Sequence, residues 1–456
     1  MVDAAQFKQV LSRWASGVAV ITSNLDGYWH GMTASSFTSV SLEPPLVSVS
    51  LAKKLNTHAL IQQSQVFAVN ILAADQIEIA KIFAGYYKDV QNRFEGLDCA
   101  TAATGSPLLP GTLGWIDCKV VYAYEGGDHT IFVGEVQAAS TASAAPPLLY
   151  HGRAWGQFAR LMPDHAEVYE IGLRDGLQHE AFVPTARKLD LIAALTDAGV
   201  RHIQATAFVE DFPQFEDAAA LWAGLPARPG VTYSALVEDM AGLERALQAG
   251  VKAVDLSVSA CPPSDEALFD ALAARALEAG ASVRGGITCA FGAPGGDVPL
   301  ERVADMVERQ RRAGAREIAL IDSSGLANPQ HVRDLLCRVQ PAAGDATLIL
   351  RLLDTRGLGL ANAVAALESG AHHFETTLGG LGGSPFIAGA AGNIATEDTL
   401  HMLSSLGVAA EVDPARLHSA ARLLERLIGR PLTAKMSRAA LRPDQTALEI
   451  PAIKIL

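Results

Sequence analysis

Two groups of residues have the types and spacing that chemistry needs. In the first, Met32-Thr33-Ala34-Ser35-Ser36-Phe37-Thr38-Ser39-Val40-Ser41 sets small hydroxyl side chains beside backbone turns, ahead of Pro44-Pro45-Leu46-Val47. Short hydroxyls donate hydrogen bonds to the edge of a flat heterocycle, where bulky side chains would block approach. Ser50, Lys53, Lys54, Asn56 and Thr57 follow, at what reads as a strand end entering a helix. Hydroxyls, a cation and helix-start amides suit a phosphate, and the plainer reading is a polar loop with an N-cap. In the second group, Gly172-Leu173-Arg174-Asp175-Gly176-Leu177-Gln178-His179-Glu180 places a charged pair before a glycine turn. Far downstream, Gly379-Gly380-Leu381-Gly382-Gly383-Ser384-Pro385-Phe386 and Gly389-Ala390-Ala391-Gly392-Asn393 allow close backbone approach to a ligand. An Arg–Asp pair can also merely close a fold's mouth, and glycine-rich loops occur without ligands.

The elements that must position these groups change character along the chain. Up to about residue 160, short β-branched runs alternate with turn signals: Val18–Ser23, Leu46–Ser50, Val66–Ile71, Trp115–Tyr122 and Thr130–Ala138. Asp26-Gly27 and Glu125-Gly126-Gly127-Asp128 are hairpin chemistry, so a closed or nearly closed β-barrel is expected. From about residue 165, apolar strands beginning near Val168, His202, Val231, Ala253, Ser282, Glu317, Thr347 and His372 each lead into an Ala/Leu-rich helical pattern, several ending at a glycine. Eight such units predict a TIM barrel, with catalytic groups at the C-terminal ends of its strands. The expected domains are 1–163 and 164–456, the second ending in C-terminal helices.

Composition narrows the function. Of the 456 residues, 49% are hydrophobic and 19% charged, with a mean hydropathy of +0.20, which excludes a disordered chain. Residues 1–163 carry 10 basic and 12 acidic side chains, so −11 of the total −13 belongs to the remainder. Neither part has a Lys/Arg run, and nucleic-acid binding is set aside. Five cysteines (Cys99, Cys118, Cys261, Cys289 and Cys337) without C-x-x-C spacing point to reduced thiols. With neither a signal-peptide pattern at the start nor an apolar run of membrane-spanning length, no membrane partner and a cytoplasmic location are expected.

Residues 7–158 resemble the flavin reductase component of two-component flavin monooxygenases. The matching stretches include Phe7-x5-Arg13-x3-Gly17-Val18, Gly31–Phe37, Glu43–Val47, Phe67–Leu72, Phe83, Arg93-Phe94, Gly127–Gly134 and Pro147–Tyr150. The resemblance implies a split-barrel flavin-binding fold, FMN or FAD, NADH or NADPH, a homodimer, and a flavin-dependent monooxygenase as partner. It implies that Met32, Thr33, Ala34, Ser35 and Ser36 line the isoalloxazine and that Ser50, Lys53, Asn56 and Thr57 hold the ribityl phosphate. Phe83 joins this cofactor set, and His129 would stand beside the nicotinamide during hydride transfer. The alternative for His129 is a structural histidine closing the Asp128 turn. No GxGxxG segment follows a strand, which disfavours a Rossmann dehydrogenase.

Residues 167–410 resemble 3-hydroxy-3-methylglutaryl-CoA lyase and the wider metal-dependent family of lyases and Claisen-type enzymes. Arg174–Gln178, Val283-Arg284-Gly285, Thr288-Cys289-Ala290, Asp354-Thr355-x-Gly357, Leu360-Ala361-Asn362, Gly380–Gly383, Gly389-Ala390-x-Gly392-Asn393 and Ala395–Asp398 carry the likeness. It implies a divalent cation held by an aspartate, a His-x-His pair on strand seven and a late asparagine. Asp175 and Asn393 match, but the His-x-His positions read Arg351-Leu352-Leu353. Leucine cannot ligate, and arginine is a permanent cation. Gln204 stands where a glutamate is expected, and Ser384 where the family has a reactive cysteine.

These departures argue against a divalent metal and against ordinary lyase chemistry. Arg351 is expected to take over the cation's positive charge and pair with Asp175. The expected catalytic set is His129, Arg174 and Arg351. Asp175, Gln178, Gln204, Ser384 and Asn393 are expected to bind a small-molecule ligand in the barrel. The leading expectation is an NAD(P)H-dependent flavin reductase fused to a barrel that has lost metal-dependent lyase activity. The alternatives are metal-independent carbon–carbon lyase or aldolase chemistry on an acyl-CoA or keto acid, and a non-catalytic docking or metabolite-binding barrel. His372 and His373 are expected on opposite faces of a strand, a poor metal pair.

Overall fold

The computed structural model describes residues 3–141, 145–210, 212–383 and 392–439. It comprises two compact units, residues 1–159 and 160–456. Among the described residues, no helix is long and apolar enough to cross a membrane.

The first unit opens with helix α1 (Ala4–Leu11), whose start is capped by the Asp3 carboxylate accepting from the Gln6 amide at 2.8 Å. Its main sheet has seven strands: β1 (Ala19–Leu25), β2 (Tyr28–Ala34), β3 (Thr38–Leu42), β4 (Pro45–Ala52), β5 (Val66–Ile71), β6 (Gly114–Gly126) and β7 (His129–Thr141). Helices α2 (Asn56–Ser64) and α3 (Ile77–Phe83) flank β5 in sequence. The sheet order is β2-β1-β5-β6-β7-β4-β3, antiparallel throughout. Its edge strands, β2 and β3, are successive in the chain. Residues 35–37 therefore carry the chain from one edge of the sheet to the other, and those edges do not pair. This is the split form of a barrel. Ile21, Val49, Leu51, Phe67, Val69 and Phe132 fill its core.

In the second unit, β8 (Glu167–Glu170), β9 (His202–Ala207), β10 (Thr232–Leu236), β11 (Ala253–Ser259), β12 (Ser282–Thr288), β13 (Glu317–Ile321), β14 (Thr347–Arg351) and β15 (His373–Thr376) form a closed parallel barrel. The β8–β15 seam closes it, with Val168 opposite Phe374. A helix follows each strand: α4 (Thr185–Asp197), α5 (Ala218–Ala223), α6 (Met240–Gln248), α7 (Glu266–Glu278), α8 (Leu300–Arg312), α9 (Pro329–Ala343), α10 (Gly359–Glu368) and α11 (Thr396–Ser405). Two more, α12 (Pro414–Ile428) and α13 (Lys435–Arg438), complete the described chain. Buried alanines such as Ala273, Ala276, Ala363 and Ala366 let the helices lie close against the strands.

One sequence expectation about the strands is corrected. His372 and His373 do not diverge: their rings lie 4.7 Å apart at 39°. His372 precedes the first residue of β15, so strand alternation does not govern it. His202, at the start of β9, stacks on Tyr169 at 4.2 Å, at the end of the barrel opposite the strand C-termini.

Candidate functional site

In the first unit the split between sheet edges gathers several of the expected residues. Ser36 donates its hydroxyl to the Ser50 carbonyl at 2.8 Å and accepts from the Ser50 amide at 3.2 Å, tying the segment after β2 to β4. His129 lies opposite Ala52 in the β7–β4 ladder, and the Lys53 amide donates to the Asp128 carbonyl at 3.0 Å. Lys53 and His129 are thus neighbours. Lys53 is exposed and ion-paired with Glu125. The His129 Nδ1 atom lies 2.7 Å from Asp128 Oδ1, and its side chain is 43% exposed.

Helix α2 begins after Leu55 with no side-chain cap on its amides, so Asn56 and Thr57 open an uncapped helix start near Lys53. Beside it lies a cavity of about 640 Å³ lined by His30, Asn56, Arg93 and Phe94. Burial and the nearby Arg93 hold the His30 imidazole below its usual pKa. The Arg93 guanidinium donates to the Gly31 and Phe83 carbonyls at 2.9 and 3.1 Å. An uncapped helix start with an open cavity beside it, three residues after an exposed lysine, fits a phosphorylated cofactor.

Other expected cofactor residues serve the interior. The Thr57 hydroxyl is fully buried on His30 Nδ1 at 2.8 Å, and the Thr33 hydroxyl donates to the Ala80 carbonyl at 2.6 Å. Phe83 is 1% exposed in an apolar cluster, edge-on to Phe94. Ala34 is buried, Met32 is half-buried against the core, and Ser35 is exposed. His30 was missed by sequence reasoning, because only the fold brings it to the start of α2.

In the second unit the barrel interior is charged. Gln204, Asp255, Arg284 and Glu375 are each the third residue of their strand, and Arg351 is the last residue of β14. Arg174 and Asp175 stand on a π-type turn, Gly172–Gly176, after β8. These seven side chains form one closed ring. Arg284 donates to Asp255 through Nε and Nη2 at 2.7 and 2.9 Å, and Nη1 lies 3.2 Å from Glu375. Glu375 is bound by Arg351 Nε, whose Nη1 lies 3.4 Å from Asp175 Oδ1. Arg174 Nη1 reaches the same oxygen at 2.9 Å, and Arg174 Nε donates to Gln204 Oε1 at 2.7 Å. The Gln204 amide donates to Asp255, closing the circuit, and Ser234 adds a hydrogen bond to Asp255 at 2.7 Å.

Three guanidinium groups meet three carboxylates, and the neutral amide bridges Asp255 and Arg174, where a charge of either sign would face a like one. Burial alone would push Asp175 and Asp255 up. The arginines beside them outweigh it and hold both carboxyls below the usual range. Burial likewise opposes the charges of Arg284 and Arg351, yet the facing carboxylates raise both. Arg174, with Arg351 close by, is lowered, burial first.

The ring floors a cavity of about 390 Å³ whose walls include Gln178, Glu238, Ser257, Thr288, Cys289, Leu353 and Asn393. Asn393 donates to Asp175 Oδ2 at 2.7 Å, while its buried Oδ1 has no hydrogen-bond partner among the described residues. Gly382 lies against this pair at φ +89°. A Cβ there would meet Asp175 Oδ2 and Asn393 Nδ2 at 2.7 Å each, so the close approach requires glycine. Cys289 is buried, with its amide on Ser323. Ser384 lies outside the described residues, as do Pro385, Phe386 and Gly389.

These residues do not fit a divalent cation. Both Asp175 oxygens are engaged, Leu353 offers no donor, and the Arg351 guanidinium stands beside the carboxylate a cation would seek. Asn393 Oδ1, unpartnered among the described residues, is a single oxygen, far short of a Mg²⁺ shell. No group of three or more His, Cys, Asp or Glu among the described residues could hold a metal.

Comparison with known proteins separates the same two parts. Residues 11–159 match the flavin reductase like domain, and residues 165–424 match the HMGL-like family. The mitochondrial hydroxymethylglutaryl-CoA lyase of Macaca fascicularis is 34% identical over 293 residues, covering 61% of this chain and 90% of that protein. The solved hydroxymethylglutaryl-CoA lyase of Pseudomonas aeruginosa is 32% identical, with a TM-score of 0.59 over 61% of this chain and 98% of that one. The flavin reductase PheA2 is 38% identical over 35% of this chain and all of that one, with a TM-score of 0.33.

Proposed function

The chain belongs to the HMGL-like family and carries a flavin reductase like domain ahead of its barrel. On that premise we propose that the first unit is an NAD(P)H-dependent flavin reductase supplying reduced flavin to a partner monooxygenase. The barrel has kept its ligand cavity and given up metal-dependent cleavage. For the reductase, the observation that carries the reading is the family match over residues 11–159. A bound flavin and nicotinamide would supply the hydride chemistry. The uncapped start of α2, Lys53 and Asn56 bind the phosphate. The Ser36–Ser50 tie holds the strand edges in place around the ring system, and His129, oriented by Asp128, borders the nicotinamide.

The test is oxidation of NADH or NADPH by purified protein with FMN or FAD. Protein that neither binds a flavin nor oxidises either nicotinamide rules the reading out. A second reading gives the barrel metal-independent carbon–carbon cleavage. It is favoured by the convergence of Arg174, Arg351 and Asp175 on one cavity, where the guanidinium groups would stabilise an enolate oxygen. Turnover of a CoA thioester that survives exhaustive chelation would establish it, and no turnover across a panel would remove it.

A further inference from the structure

The charge of the barrel's internal ring sums to zero. We propose that Gln204 and Arg351 are a single paired replacement: together they shift the net charge of the barrel interior by +2, as a bound divalent cation would, and the site takes none. This rests on the reading of the barrel given above and says what did the replacing. Against the pattern that the resemblance implies, Gln204 removes one negative charge and Arg351 adds one positive charge. The change is +2. Leu353 removes a donor atom but alters no charge.

The geometry makes the two substitutions depend on each other. The Gln204 amide donates to Asp255 while its carbonyl accepts from Arg174. A carboxylate at residue 204 would press against the Asp255 carboxylate and break the circuit at that point. A neutral side chain at residue 351 would leave Glu375 with Arg284 alone and Asp175 with Arg174 alone. Either reversal by itself unbalances a ring whose side chains are no more than 19% exposed. Both together leave a surplus of two negative charges, which a divalent cation neutralises. In the native ring such a cation would meet no surplus charge and would have to expel Arg351 from Asp175.

The experiment titrates full-length protein with Mn²⁺, reading the free ion by electron paramagnetic resonance, with thermal melting to confirm folding. The native chain should take up no Mn²⁺ that Asp175→Asn abolishes. The triple variant Gln204→Glu, Arg351→His, Leu353→His should bind one Mn²⁺ per chain, at ion concentrations at least 100-fold below any at which the native chain takes it up. The double variant Arg351→His, Leu353→His, which keeps Gln204, should bind at least tenfold more weakly than the triple. Native binding of one Mn²⁺, lost in Asp175→Asn, would overturn both this proposal and the reading of the barrel beneath it. Equal affinity of the double and triple variants would overturn the pairing alone. Should the triple variant fail to melt cooperatively without metal, its melting is repeated in excess Mn²⁺: a cooperative transition restored by the ion supports the proposal, and none in its presence overturns it.

Discussion

Arg351 and Glu375 are register partners on the last two strands of the barrel, and from that position the Arg351 guanidinium also reaches Asp175 beyond the first strand. Removing it takes one of two guanidinium partners from each of two buried carboxylates at once. Arg351→Met should lower barrel stability by about 3–5 kcal/mol, measured by urea unfolding. Arg351→Lys should recover only part of this, because it restores the charge without the planar fork. A loss in Arg351→Met no greater than that of an exposed arginine would show that the ring closes without it.

Lys53 stands exposed beside an uncapped helix start, a pairing that favours an anion. Lys53→Ala should weaken flavin binding about tenfold, read by fluorescence titration, with little effect on thermal stability. The same change should leave FMN and riboflavin closer in affinity, since only the former carries the phosphate.

His129 is oriented by Asp128 at the tip of the β6–β7 hairpin. His129→Ala should reduce kcat for nicotinamide oxidation about tenfold or more while flavin affinity stays near native. If flavin affinity falls and kcat holds, His129 is a structural residue of the turn.

Glu170 at the end of β8 is fully buried and accepts from the Gly172 and Leu378 amides and the Thr396 hydroxyl, at 2.8, 2.9 and 2.6 Å. Burial pushes its carboxyl up to about 7, from an ordinary 4.5. The folded chain therefore holds a proton there that the unfolded chain releases. Stability from this group is full below about pH 4.5 and is lost as pH rises to about 7. Glu170→Gln should flatten that fall, worth on the order of 3 kcal/mol, in unfolding measurements across the same range.

The fold was legible because its punctuation was local. Alanine-rich helices ending at Gly199, Gly250, Gly280, Gly314 and Gly370 mark off the barrel's repeating units, and β-branched runs between Asp-Gly and Gly-Gly turns mark the first sheet. The Arg351–Asp175 contact was legible too, because the family resemblance sets residues 175 and 351 at one site. Glu375 was not, although it is the nearer partner of Arg351. Glu375, Asp255 and Arg284 sit in runs that otherwise read as core strand. The available signal was a polar residue at the third place of four strands, which only their parallel register turns into one layer. Phe83 and Thr57, expected beside a cofactor, are buried side chains of the first unit, a depth that their stretch of sequence does not display.

The ring draws on both halves of the barrel: Asp255 on the fourth strand meets Arg284 on the fifth, and Asp175 after the first meets Arg351 on the seventh. Opening either half would leave a cation on one piece and its carboxylate on the other, both still shielded from water. The first breach thus carries a cost usually reserved for the last. Hydrogen exchange deep in these strands is accordingly expected to follow unfolding of the whole barrel rather than of one half.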